Sequence, residues 1–102
     1  MFDIENLEQK FRDEFQEKFN NCDDIYVLGH GGNLAIADHT AVDITRLSNG
    51  LKNAQSPASA VVATSFINDT NFNQWMVSWL ACRTAVRSPS EMKKSLVYGI
   101  SS

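Results

Sequence analysis

The chain has 102 residues, 43% of them hydrophobic and 21% charged, an ordinary composition for one small domain or part of one. Nine Lys and Arg against 12 Asp and Glu give a formal charge of −3, which lacks the basic field that draws nucleic acid or acidic lipid, so no direct nucleic-acid partner is expected. No apolar stretch approaches the roughly 20 residues of a membrane span, the first nine residues are acidic where a signal peptide would be basic, and Cys22 and Cys82 have no CxxC spacing. The expectation is a cytoplasmic chain, off the membrane, with two reduced and mostly buried thiols.

Over residues 3–20, Ile4, Leu7, Phe11, Phe15 and Phe19 recur at spacings of three and four, which predicts an amphipathic helix whose Phe stripe needs a partner surface. After a polar turn, Ile25, Tyr26, Val27 and Leu28 form a short run rich in β-formers, the first strand. Gly29, His30, Gly31, Gly32 and Asn33 make a glycine-rich turn, and helical spacing returns over residues 34–47, with Asn33 suited to the N-cap. Residues 48–57 read as a polar connection, 58–64 as a second strand, 69–86 as a third helix and 88–90 as a turn. The last seven residues read as a third strand, apolar enough to be buried on both faces. It arrives without the loop and covering helix that normally follow, so the chain reads as unfinished. The alternation implies a three-layer α/β unit with a parallel sheet and right-handed crossovers, its first strand between the other two.

The glycine turn carries the clearest chemistry. A strand that ends in Gly-x-Gly-Gly and opens a helix exposes backbone N–H groups at the positive end of a helix dipole, a ready anion site with phosphate as its natural occupant. A tight turn with no ligand is the other reading. As a dinucleotide fingerprint the match is poor, since Leu34 stands at the third glycine position, and the Lys of a P-loop is missing. In the following helix Leu34, Ala37, Ala41 and Ile44 form one stripe, with His39 and Asp43 nearly opposite, side by side. Ala35, Ile36, Val42 and Leu47 flank that pair, so the helix is expected to be buried on two sides. A His and an Asp at that spacing suit two metal ligands, a carboxylate base with a positioned imidazole, or a plain surface pair.

Taken together, the string YVLGHGGNLAIADHTAVDI resembles the first strand, glycine turn and first helix of the sugar isomerase (SIS) domain, most closely in the phosphoheptose isomerase (sedoheptulose 7-phosphate isomerase) branch. Gly29, Gly31, Gly32, His39 and, as a shorter acid, Asp43 match position by position. Ile67, Asn68, Asp69, Thr70, Asn71 and Phe72 look like the segment that opens the family's next helix, and Gly99, Ile100, Ser101 and Ser102 like the start of its main phosphate loop.

The resemblance implies a flavodoxin- or Rossmann-like parallel sheet truncated to about three strands, with residues 1–21 an N-terminal amphipathic helix and 22–102 the first half of the core. It implies a sugar-phosphate site at a subunit interface of a homodimer or homotetramer, with Gly31, Gly32, Asn33, Asn68, Asp69, Ser101 and Ser102 toward the substrate. Asp43 would shuttle a proton in aldose–ketose interconversion, with His39 beside it, and the same pair would be the candidate ligands for zinc. Asn33 stands where the family has Ser, His30 where it has Asn, and the later Gln and His that complete the site are absent, so catalysis by this chain alone is not expected. The alternative is a non-catalytic SIS module that senses a sugar phosphate or binds another protein.

Overall fold

In the computed structural model, which describes residues 4–85 and 94–101, four helices and three parallel strands follow one another as α1 (Ile4–Asn20), β1 (Asp24–Gly29), α2 (Gly32–Leu47), β2 (Asn53–Gln55), α3 (Ala60–Asp69), α4 (Trp75–Thr84) and β3 (Ser95–Ile100). The strand order is β2-β1-β3, so β1 lies in the middle as its apolar run requires. It pairs with β3 along its whole length, from Asp24 opposite Ser95 to Gly29 opposite Ile100, and with β2 over three residues. The expected turn at 88–90, Val86 and Ser102 lie outside the described residues. No helix among the described residues is long and apolar enough to cross a membrane.

Side chains alternate across a strand, and β1 uses both faces. Ile25 and Val27 meet Ala37 and Ala41 of α2 in a cluster that Cys22 closes and that Phe19, Ile44, Leu96 and Tyr98 flank. Tyr26 faces the other way and meets Trp79 of α4 edge-on, ring centres 6.0 Å apart. Helices therefore cover both faces of the sheet. From α1, Phe15 packs on Tyr98 of β3 at 5.3 Å and on Phe19 at 5.8 Å, whereas Phe11 and Leu7 stay largely exposed. Lys52 reaches back to donate to the carbonyls of Phe19 and Cys22, closing the end of α1 with a cation where the helix dipole favours one.

Several sequence expectations need correction. Residues 58–64, read as a strand, begin α3 instead. Pro57 ends the extended connection, Ala60 and Ala63 favour helix, and after Thr64 and Ser65 the apolar pattern resumes at Phe66 and Ile67, so the element runs for ten residues, helix length rather than strand length. The second strand is Asn53–Gln55, inside what reads as a polar connection. It is fixed by partners: Asn53 N–H donates to Asp23 O at 2.8 Å, and on the outer side Ala54 N–H donates to the Thr45 hydroxyl at 3.0 Å. The helix expected over 69–86 splits. Asp69 ends α3 and α4 starts at Trp75, because Asn71 Oδ1 accepts from Asn73 N–H at 3.0 Å and that turn competes with helix. The N-cap of α2 is Gly31, not Asn33, and Asn33 sits inside the first turn. Strand β3 is half-buried rather than buried on both faces, with Val97 and Gly99 exposed where α4 does not reach. Helix α2 is buried on one side only, through Ala37 and Ala41, leaving Ile36, Val42 and Leu47 exposed. Cys22 is buried and free, but Cys82 is exposed and free.

Candidate functional site

Two glycines set the geometry at the carboxyl end of β1. A Cβ on Gly29 would stand 2.5 Å from Asn33 O, closer than any side chain tolerates, so only glycine lets the first turn of α2 close against the strand. Gly31 has φ +57 and ψ −128, a backbone state that side-chain-bearing residues avoid, and it turns the chain from strand to helix within two residues. The N–H groups of Asn33 and Leu34 are already spent in this turn, donating to His30 O and Gly31 O at 3.0 Å each.

Beside the turn lies a cleft of about 540 Å³ lined by Leu28, Gly29, His30 and Asn33 from the β1–α2 junction, Met76 from α4, and Gly99, Ile100 and Ser101 from the end of β3. Among the described residues no Lys, Arg, Asp or Glu lines it. The cleft sits where the connections diverge: from β1 the chain crosses to β2 on one side, then returns past β1 to β3 on the other. In open parallel sheets ligands bind outside the carboxyl ends of the strands at such a switch point.

His30 is fixed in this cleft by aromatic neighbours. Trp75, 2% exposed, donates its indole N–H to His30 Nε2 at 2.9 Å. The imidazole also stacks on Phe72 with ring centres 4.6 Å apart and on Trp75 at 5.8 Å. Sequence reading placed no function on His30, Phe72, Trp75 or Met76. The only signal available was the aromatic and thioether trio that brackets the polar segment before α4.

The residues expected to act together are divided. Gly31, Gly32, Asn33 and Ser101 are at or beside the cleft. Asn68 and Asp69 are exposed at the end of α3 and line no part of it; Phe72, just beyond them, is the residue of that segment that reaches the site, through His30. His39 and Asp43 do come together, with Nε2 3.1 Å from Oδ2, while Arg46 donates to the other carboxylate oxygen at 3.4 Å. This pair lies on the outer face of α2, the His39 side chain 79% exposed. At 1.5 Å per residue, His39 and Asp43 are roughly 10 and 17 Å along the helix from Gly32. Asp43 instead borders a separate hollow of about 430 Å³ with Phe19, Thr40, Ile44, Leu47, Ser48 and Lys52.

Zinc takes at least three protein ligands. Among the described residues no group of three or more His, Cys, Asp or Glu side chains comes together, so His39 and Asp43 supply two donors and this chain shows no third. The donor set does not fit a complete zinc site within these residues.

No protein-family profile matches the chain, and comparison with curated proteins and with solved structures found no significant match.

Proposed function

We propose that the chain binds a phosphorylated sugar at the carboxyl edge of its sheet, as the ligand-binding part of a sugar isomerase (SIS) domain of the phosphoheptose isomerase kind, in the cytoplasm. The observation that carries this reading is the coincidence of the glycine turn with the switch point between β1 and β3, where a cleft of about 540 Å³ opens. Gly31 and Gly32 lead into a helix N-terminus, and the first turn of α2 points its dipole at the same place. Asn33 and Ser101 add polar side chains at the rim. Among the described residues the lining is neutral but the phosphate is charged, so each hydrogen bond to it contributes about 1.5–3 kcal/mol, and two of them give millimolar affinity, which needs about 4 kcal/mol.

A base removes a proton next to the sugar carbonyl and an acid protonates the oxygen in aldose–ketose interconversion. In this proposal Asp43 and His39 do not serve the cleft of their own chain, from which they lie a helix-half away. They serve a site completed by a second copy, docked on the exposed Ile36, Val42 and Leu47 that flank them. The exposure of the pair favours one second reading, a non-catalytic module that binds a sugar phosphate and does not turn it over. Calorimetric titration with sedoheptulose 7-phosphate, inorganic phosphate and unphosphorylated sugar, joined to an isomerase assay, tests both. The two phosphates should bind at millimolar level and the free sugar should not. Equal binding of free and phosphorylated sugar would remove the proposal, and binding without turnover would select the second reading.

A further inference from the structure

His30 has a chemistry that the glycine turn alone does not require. A tryptophan indole can only donate, and Trp75 is buried, so its N–H needs an acceptor. That acceptor is His30 Nε2, 2.9 Å away and 45 residues distant in the chain. A ring nitrogen that accepts carries no proton, so the neutral imidazole holds its proton on Nδ1. Among the described residues Nδ1 has no acceptor. The ring itself cannot swing freely, since it stacks on both Phe72 and Trp75, and it lines the cleft next to Gly29 and Asn33.

We infer that His30 is a ligand-contacting, specificity-determining residue of this cleft: with Nε2 committed to Trp75, the ring offers Nδ1–H as a neutral donor to a phosphate oxygen beside Gly31 and Gly32. The inference rests on the phosphate-binding reading above and names the side chain that carries it. It follows from a shortage of donors. The N–H groups of Asn33 and Leu34 are bonded within the turn, and among the described residues no cation lines the cleft, so within these residues a phosphate there takes its strong partner from a neutral side-chain donor. Trp75 acts as a positioning residue, by fixing which nitrogen of His30 bears hydrogen. Phe72 holds the ring plane. Through these contacts the start of α4 and the turn before it become part of the binding site, although neither need touch the ligand.

Two readouts separate the parts. Nitrogen-15 spectra of the imidazole in the unliganded protein should show His30 as the Nδ1–H tautomer, and Trp75→Phe should convert it to a mixture. Inorganic phosphate, titrated by calorimetry, should bind His30→Phe about five- to tenfold more weakly than the unsubstituted protein, since the stack is kept and the donor lost, and Trp75→Phe about threefold more weakly. His30→Gln, which restores a donor without the ring, should recover part of the loss. An Nε2–H tautomer in the unsubstituted protein, or unchanged phosphate affinity in a folded His30→Phe, overturns the inference and leaves phosphate binding intact. An unsubstituted protein that binds no phosphate overturns the binding reading and the role of His30 with it, whatever the tautomer.

Discussion

One helix carries both candidate centres, and its two ends are built on different physics. At the N-terminus of α2 the site is made of backbone: Gly29 admits no Cβ, Gly31 sits in a glycine-only conformation, and the cleft walls come from four elements, β1, α2, α4 and β3. Further along, His39 and Asp43 are held by each other and by Arg46 on an outer face, with solvent on the open side. The first is over-determined by the fold; the second is a local pair that any amphipathic helix can present. Geometry fixed by the backbone is evidence for a site in a way that a surface pair at helical spacing is not.

Substitution should separate the two regions sharply. Gly29→Ala drives a methyl group against the backbone of Asn33 and should cost about 3 kcal/mol in urea unfolding, with phosphate binding lost. Gly31→Ala should cost about 1–3 kcal/mol for its strained backbone and weaken phosphate binding more than it weakens the fold. On α1, Phe11 stacks on Phe15 at 6.0 Å on one side and stays 59% exposed on the other, so Phe11→Asp removes both a ring contact within the chain and the apolar surface proposed to meet a second copy. On the proposed self-association, sedimentation velocity should show that substitution giving smaller particles than the unsubstituted chain, with a melting temperature lowered only by the lost ring contact.

The two cysteines offer a smaller contrast. Burial pushes the Cys22 thiol up from its ordinary range, and its Sγ donates to Phe19 O at 3.2 Å. Because the folded thiol titrates above the unfolded one, its contribution to stability is complete below the unfolded pKa and falls as pH rises through the folded value. Alkylation followed by mass spectrometry should label exposed Cys82 first and Cys22 only at more alkaline pH. The smallest effect belongs to the surface pair: His39→Ala should change stability by less than about 1 kcal/mol and leave phosphate affinity unchanged.

How far the sequence could be read depended on whether each signal was local. Strand β1 announces itself, since four β-formers stop at a glycine cluster, and its central place follows from that apolar run. Helix α1 is equally plain from its Phe spacing. Strand β2 could not be seen in Asn53, Ala54 and Gln55, which carry no apolar pattern; they become a strand because β1 and the Thr45 hydroxyl satisfy them. Residues 60–64 carry strand-like valines yet fold as helix, because Pro57 ends the extended connection and the alanines favour a helical run that continues to Asp69. Within the candidate site the glycines were legible, each by its effect on its own turn. The bond from Trp75 to His30 was not, because nothing near either residue encodes a partner 45 positions away.

The central claim is that phosphate binds at the switch-point cleft and not at the His39–Asp43 face. A titration of the nitrogen-15-labelled protein with inorganic phosphate, followed by amide chemical shifts, tests it directly. The shifts should cluster at His30, Gly31, Gly32 and Ser101, saturate at millimolar phosphate, and leave Asp43 and Arg46 still. Saturable shifts centred on Asp43 and Arg46, or none at the glycine turn, would contradict it.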